Sequence, residues 1–136
     1  MSNEVGRPCG ASAAPQAAGR EQQEAKRQLM LIVGSDVLGK EEPIGKVLMK
    51  GFFETMKVHK QLPHAIFFLN AGVRLTTTDR ETIPILKEIE AMGGEVCSCG
   101  TCLKHYELES SLQVGHRGTT NHIVEGLQDF DKVVWI

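Results

Sequence analysis

The chain has 136 residues, of which 41% are hydrophobic and 24% are charged, as in an ordinary globular protein. Its 15 Lys and Arg against 17 Asp and Glu give a formal net charge of −2, which argues against nucleic acid as a partner because nucleic-acid-binding modules carry a basic surplus. No apolar run reaches the ~20 residues of a transmembrane helix and no secretory signal is visible, so we expect a cytoplasmic protein without a membrane partner.

Composition divides the chain into two parts. Residues 1–28 contain 6 Ala, 3 Gly and 2 Pro, and their only branched aliphatic side chain is Val5. Such a stretch cannot bury enough apolar surface to offset the entropy lost on ordering. We therefore predict a flexible N-terminal tail over 1–28 and a single folded domain over 29–136, a length that one hydrophobic core can serve.

Strands and helices alternate along the predicted domain. Continuous apolar runs predict strands covered on both faces, and apolar residues at three- and four-residue spacing predict helices. The predicted strands are Leu29–Val33, Ala65–Leu69, Glu95–Cys99, a weak Leu112–Gly115 and Lys132–Ile136. The predicted helices run from Pro43 to about Lys57, from Thr78 to Gly93, from the third strand to Lys104 or Tyr106, and from Thr119 to Gln128.

Each longer helix has an apolar face that we expect to pack on the sheet. The segment Thr78–Glu81 has the form of a capping box, although Pro84 lies beyond the first turn and favours a start nearer Thr82. The predicted apolar faces consist of Ile44, Val47, Leu48, Phe52 and Met56 in the first helix, Leu86, Ile89 and Met92 in the second, and Ile123, Val124 and Leu127 in the last.

This alternation predicts the fold class. It is typical of a three-layer α/β/α sandwich with a mainly parallel five-stranded sheet, and sites in such sheets lie beyond the carboxyl ends of the strands. We therefore expect the loops Gly34–Gly39, Asn70–Thr78, Cys97–Cys102 and Gly115–Asn121 to gather at one edge.

The cysteines are crowded: three of the four, Cys97, Cys99 and Cys102, fall within six residues, and Cys9 lies in the tail. In a reducing compartment that crowding indicates chemistry or metal binding rather than a disulfide framework. The pair Cys99 and Cys102 has C-x-x-C spacing where the third strand turns into a helix. There backbone N–H groups and the helix dipole stabilise a thiolate, the form of cysteine that attacks disulfides and persulfides.

Other residues either add to the reactive-thiol interpretation or support an alternative to it. Cys97 points to the same face as Cys99 and is either a third thiol near the pair or a buried small residue. The cysteines could also form a zinc site completed by histidines, or pack inertly; we favour a reactive thiol because structural zinc sites need a second ligand pair. Arg74 and Arg117, in the edge loops, either hold an anionic substrate or are solvated. The candidate zinc-binding histidines are His105, His116 and His122.

Four segments resemble the C-terminal domain of the YedF family, which is associated with selenium metabolism and belongs to the DsrE-like superfamily of sulfur-relay proteins. They are GSDVLG at 34–39, GKVLMK at 45–50, LNAGVRLT at 69–76 and SCGTCL at 98–103. The resemblance runs from about Leu29 to Ile136. It implies a DsrE-like fold, a homo-oligomer and a redox-active or sulfur-carrying C-G-x-C motif at Cys99 and Cys102, with Cys99 the better match to the persulfide-bearing cysteine of related proteins.

The chain departs from this family at its start. YedF-like proteins begin with a TusA-like domain bearing Cys-Pro-x-Pro, which Arg7–Gly10 does not reproduce and 28 residues cannot hold. Either that domain is a separate chain or this protein has lost part of the family's activity; by resemblance, the partner is a TusA-like sulfur carrier or a cysteine desulfurase. The apolar C-terminal run Val133–Ile136 is a second reason to expect a homo-oligomer, unless Trp135 only caps its own core.

Our leading hypothesis is a sulfurtransferase-like relay protein for sulfur or selenium that needs no cofactor. Cys99 accepts a sulfane sulfur as a persulfide, and Cys102 releases it by forming a disulfide. Gly100 and Thr101 supply backbone donors to the anionic sulfur, and Arg74 binds substrate charge. The alternative is a non-catalytic oligomeric binding or scaffold protein with structural, redox-sensing or metal-binding cysteines.

Overall fold

The computed structural model describes residues 29–59 and 62–136. They form a sheet of five parallel strands in the order β4-β3-β2-β1-β5, which confirms the predicted α/β class. The predicted tail over 1–28, with Cys9, lies outside the described residues. The strands are β1 (Leu29–Val33), β2 (Ala65–Phe68), β3 (Glu95–Cys99), β4 (His116–Gly118) and β5 (Lys132–Trp135).

Helices cover both faces of the sheet because of the order in which the strands are connected. Three connections step in one direction from β1 to β4, and the last returns across the whole sheet to β5; right-handed crossovers therefore lie on opposite faces. The helices are α1 (Pro43–His59), the 3-10 helix η1 (Asn70–Thr76), α2 (Ile83–Ala91), α3 (Gly100–His105), the 3-10 helix η2 (Glu109–Ser111) and α4 (Thr120–Asp129). No helix in this described part is long and apolar enough to cross a membrane.

The core has two halves, one on each face. Alternate strand residues such as Leu31 and Phe68 pack with α1, α2 and α3, whereas Met30 and Phe67 point to the face that carries α4. On that second face α4 lies very close to the sheet, since a Cβ atom on Gly126 would overlap the Met30 sulfur. The second half therefore has a thin helical cover.

The predicted apolar faces of the helices are partly wrong. In α1 the buried residues are Gly45, Met49 and Phe53, which lie on one face of the helix. Because this face combines a small residue with large ones, it packs closely on the sheet. Apolar residues on the neighbouring faces of the helices remain exposed to solvent. Exposed fractions are 53% for Ile44, 64% for Val47, 49% for Leu48, 42% for Met92, 53% for Val124 and 57% for Leu127.

The predicted capping box at Thr78–Glu81 and the bounds of the predicted fourth strand are also wrong. Helix α2 begins at Ile83, as the position of Pro84 favoured, and the preceding turn is closed by the Asp79 carboxylate, which accepts the backbone N–H groups of Glu81 and Thr82 at 3.1 Å each. The fourth strand is His116–Gly118 and not Leu112–Gly115, because backbone pairing with β3 decides its position and its polar side chains at an exposed edge give no apolar signal.

Candidate dithiol site

The C-x-x-C segment lies across the junction of a strand and a helix, as predicted. Strand β3 ends at Cys99, and α3 begins at the next residue. The Cys99 side chain caps that helix, because its Sγ accepts the backbone N–H of Cys102 at 3.3 Å. Both cysteines are free thiols. The junction therefore holds two sulfur atoms side by side at the carboxyl edge of the sheet.

Burial distinguishes the two thiols in the opposite sense from our expectation. Cys99 is only 3% exposed and belongs to the apolar cluster of Met30, Phe67 and Phe130 beneath α4, whereas Cys102 is half-buried. Cys99, which we predicted to accept the sulfur, is therefore covered in this structure, and Cys102 is the more accessible of the two thiols. Cys97 points to the same face, as the strand alternation predicts, and is also buried.

Cys102 has a backbone partner that sequence reasoning missed. Its Sγ accepts the N–H of Asn70 at 3.0 Å. Asn70 directly follows the loop residue after β2 and adopts the left-handed conformation with φ 51°, which asparagine tolerates better than most residues. An Asn immediately after a buried strand was the signal available in the sequence. The turn at Asn70 thus directs an N–H group at the more accessible sulfur.

The surroundings of Cys102 keep it protonated at neutral pH. Burial, followed by its hydrogen bond with Cys99 and the charge of that residue, raises the pKa of Cys102 from 9.0 to about 11, and the Asn70 N–H acts in the opposite direction. At pH 7 only about one molecule in 10⁴ carries the Cys102 thiolate. The accessible thiol is therefore a weak nucleophile until its proton is removed.

This raised pKa predicts how alkylation of Cys102 depends on pH. Below the pKa the thiolate fraction rises tenfold per pH unit, so the rate of alkylation by iodoacetamide should rise about tenfold per unit from pH 7 to 10. The Cys99→Ala variant loses two of the contributions that raise the pKa, so its curve should shift to lower pH. Peptide-level mass spectrometry follows Cys102 alone; a wild-type plateau at or below pH 9 would contradict the assignment.

A cleft of about 450 Å³ opens beside the start of α3. Gly100 and Thr101 line it, with Lys104 and Arg117. A Cβ atom on Gly100 would lie 3.0 Å from the Arg117 guanidinium, which also lies 3.4 Å from the Glu109 carboxylate. The predicted residues Gly100 and Thr101 are thus next to the cysteine pair, and Arg117 is the arginine packed against the motif.

Arg74 lies elsewhere. Its guanidinium is 3.6 Å from the Asp36 carboxylate and 4.8 Å above the ring of Tyr106, which follows Cys102 by one helical turn. Arg74 lines a second, larger cleft rather than the one at Gly100. Its predicted role in binding substrate therefore stays a prediction, with the Tyr106 ring as its link to the dithiol side of α3.

The histidines proposed as zinc ligands are dispersed. His105 packs edge-on against Tyr106 at 4.9 Å between ring centroids, and His116 lies 3.4 Å from the Glu95 carboxylate. His122 closes the start of α4, where its Nδ1 accepts the N–H of Thr119 at 2.9 Å. Within residues 29–59 and 62–136, no three His, Cys, Asp or Glu side chains are arranged to hold a metal ion.

A buried hydroxyl pair fixes η1 against β3 and so positions Asn70. The Oγ atoms of Ser98 and Thr76 are 2.7 Å apart, and both side chains are fully buried. Because the Thr76 hydroxyl donates to the carbonyl of Val73 at 3.0 Å, the Ser98 hydroxyl donates to Thr76. This bond joins η1, which carries Asn70, to β3, which ends at Cys99 directly before the helix that carries Cys102.

Removing this hydroxyl should destabilise the protein moderately. Ser98→Ala loses a buried hydrogen bond and leaves a small void, so we expect the free energy of unfolding to fall by about 1–2 kcal/mol in urea denaturation. Ser110→Ala, at an exposed site, is the control and should change it by less than about 0.5 kcal/mol. Equal effects of the two variants would show that the hydroxyl pair carries no stability.

Comparisons with known proteins bear on the fold. The sequence matches no protein-family profile and no curated protein. The crystal structure of the YchN protein of E. coli superposes with a TM-score of 0.60 at 14% identity, covering 81% of this chain and 99% of that one. A conserved protein of unknown function from Bacteroides thetaiotaomicron superposes with a TM-score of 0.60 at 18% identity, covering 83% of this chain and 97% of that one. The predicted DsrE-like α/β fold is therefore confirmed, and at these identities the similarity shows the fold alone.

Proposed function

We propose that the protein is a sulfurtransferase-like relay protein for sulfur or selenium, and that Cys102 carries the transferred atom as a persulfide. The observation that carries this proposal is the geometry of the pair: a half-buried free thiol at Cys102 touches both the Asn70 N–H and the buried Cys99. The DsrE-like fold is compatible with a sulfur relay but names no activity, and the link to selenium rests on the motif resemblance to YedF proteins.

The loading step conserves atoms and electrons. The Cys102 thiolate attacks the outer sulfur of a donor persulfide, R–S–SH, so that a new S–S bond forms at Cys102 as the donor S–S bond breaks. The donor leaves as the thiolate R–S⁻, and the product is Cys102–S–SH. An acceptor thiolate can remove the outer sulfur by the same reaction in reverse, which regenerates Cys102.

Cys99 provides a second outcome. Its thiolate attacks the inner sulfur of Cys102–S–SH, forms a Cys99–Cys102 disulfide and releases hydrosulfide, HS⁻. Returning to the dithiol then requires a reducing dithiol as co-substrate. The contact between the Cys102 N–H and the Cys99 Sγ places the two residues suitably for this step.

Because the pKa of Cys102 is raised, the donor has to supply a base. Since the resting thiol is protonated at neutral pH, a base on the bound donor has to take its proton as the S–S bond forms. The N–H of Asn70 is already aimed at the sulfur and stabilises the charge that develops there. Cys102 would thus react with a docked partner in preference to free disulfides.

The partners follow from the resemblance and from the surface. A TusA-like sulfur carrier or a cysteine desulfurase would supply the sulfur, in the reducing cytoplasm where thiols persist. Exposed apolar side chains on α1, α4 and the edge strand β5 favour a homo-oligomer, among them Trp135 at 56% and Val134 at 37% exposure.

A second candidate is an oligomeric binding or scaffold protein whose cysteines are not catalytic. The high pKa of Cys102 and the exposed apolar residues favour it, because a protonated thiol is chemically quiet and apolar surfaces serve association. This candidate predicts that the reduced protein does not take up sulfane sulfur.

Sulfur loading separates the two candidates. Reduced protein is incubated with glutathione persulfide, or with a cysteine desulfurase and cysteine, and its intact mass is measured. The relay proposal expects Cys99→Ala to gain the mass of one sulfur atom and Cys102→Ala to gain none; the wild type gains it transiently and then loses two hydrogen atoms as the Cys99–Cys102 disulfide forms and hydrosulfide is released. A Cys99→Ala protein that stays unloaded with both donors, or loading that survives in Cys102→Ala, would rule the proposal out.

A further inference from the structure

A cleft of about 600 Å³ lies between α1 and the turn that precedes α2, and the cysteine pair does not line it. Its volume is in the range of small-molecule sites. Its walls carry both signs of charge, which is unusual for a site that takes a simple anion. The charged residues that line it include Asp36, Lys46, Lys50, Glu54, Arg74 and Arg80.

Asp36 has an oxygen atom without a donor. The Asp36 side chain is 5% exposed, and its Oδ2 lies 3.5 Å from the Lys46 Nζ and 3.6 Å from the Arg74 guanidinium. Among the described residues no hydrogen-bond donor reaches Oδ1. A buried carboxylate oxygen normally has a donor, since leaving it unmatched costs free energy. Asp36, which lines the cleft, therefore retains an acceptor oxygen without a donor among the described residues.

Arg80 presents the complementary group. It is exposed, and in the part of the chain that the structure describes no carboxylate pairs with its guanidinium, whereas Lys50 lies 3.6 Å from Glu81. The turn that carries Arg80 is anchored beside Arg74, because the N–H of Asp79 donates to the Arg74 carbonyl at 3.0 Å. One cleft thus combines a buried acceptor with an available guanidinium.

We infer that this cleft binds a free α-amino acid. The ligand's ammonium group donates to Asp36 Oδ1, and its carboxylate pairs with Arg80, whose planar fork matches a carboxylate. An inorganic anion would leave the Asp36 oxygen unmatched and repelled, and a simple amine would lack the carboxylate that forms a two-hydrogen-bond pair with Arg80. Glu54, exposed at the rim, is already solvated and needs no ligand.

Binding can be measured on the intact protein. Each of the common amino acids is tested by saturation-transfer NMR at concentrations up to about 10 mM, and the best binder is then compared with its decarboxylated amine and its deaminated acid. We expect at least one amino acid to bind, and each truncated analogue to bind at least about tenfold more weakly. Absence of binding for every amino acid, or an analogue that equals its parent, would overturn the inference.

Two variants locate the site. Asp36→Asn and Arg80→Gln should each weaken binding about tenfold or more, while Arg117→Gln, outside the cleft, should leave it unchanged. Arg80 is exposed and makes no described ion pair, so Arg80→Gln decides the question even if Asp36→Asn unfolds. The outcome is independent of sulfur loading at Cys102: unchanged amino acid binding in Arg80→Gln contradicts this inference and leaves the relay proposal as it was.

Discussion

Replacing Gly72 by alanine should lower the free energy of unfolding by about 3 kcal/mol, a large stability effect for one added methyl group. A Cβ atom there would overlap the carbonyl oxygen of Val33 and lie 3.4 Å from the amide nitrogen of Ser35. Both are backbone atoms at the end of β1, so no side-chain rotation relieves the contact. Urea denaturation followed by circular dichroism measures the loss.

Gly51 offers a matched control in the same chain. It lies within α1 with no atom within 4 Å of an added Cβ, so Gly51→Ala should stabilise the protein by about 0.5–1 kcal/mol because alanine favours helix. Opposite signs for the two glycine-to-alanine variants are the expected pattern. A Gly72→Ala protein as stable as the wild type would mean that η1 does not lie against β1 as described.

Replacing Cys99 by alanine should preserve a persulfide that the wild type loses. In the wild type the neighbouring sulfur attacks Cys102–S–SH intramolecularly and releases hydrosulfide, a step favoured by proximity. Without that sulfur, the persulfide in Cys99→Ala should decay about a hundredfold more slowly when no other thiol is present. Hydrosulfide release and intact mass are followed together over time.

The Cys99→Ala variant also has to keep its fold for this comparison. Because Cys99 is buried, the unfolding transition of Cys99→Ala is measured beside that of the wild type. Cys99→Ser serves as the variant closest in volume. Equal rates of hydrosulfide release from wild type and from folded variants would contradict the resolving role of Cys99, although loading at Cys102 would stand.

The strands were the most predictable part of the fold. Leu29–Val33 and Glu95–Cys99 have the predicted bounds because every residue after the first in each run is buried between the two faces of the sheet, and most of these residues are apolar or cysteine. The edge strand His116–Gly118 was missed because it is exposed and defined by backbone pairing with β3. Apolar runs identify the centre of a sheet better than its edge.

The helices show the limit of periodicity. The spacing of apolar residues predicted that α1 and α4 are helices. However, α1 carries apolar residues on several adjacent faces, and only tertiary packing determines that Met49 and Phe53 are the buried ones. In α4 the close approach at Gly126 leaves Val124 and Leu127 outside. A glycine at a helix–sheet contact carries no hydrophobic signal, although it decides which face is inside.

The sequence predicted where the two cysteines of the candidate site lie, but not which of the two is more accessible. The two thiols lie at the strand–helix junction that the C-x-x-C spacing predicted, and their part in the chemistry stays a prediction. Which of them is accessible depends on the second face of the sheet, where α4 and Phe130 cover Cys99, and that is a tertiary property. The N–H of Asn70 reaches Cys102 from 32 residues away along the chain, a contact that local pattern cannot reveal.

The most direct measurement is the position of the first sulfur atom taken up by the reduced wild-type protein. After loading with less than one equivalent of persulfide donor, the product is capped with an alkylating reagent, digested and sequenced by mass spectrometry. We predict that, in the molecules capped before the Cys99–Cys102 disulfide forms, the persulfide lies on Cys102 and Cys99 is recovered as a simple alkylated thiol. A persulfide located on Cys99, or on neither of the two, would contradict the account.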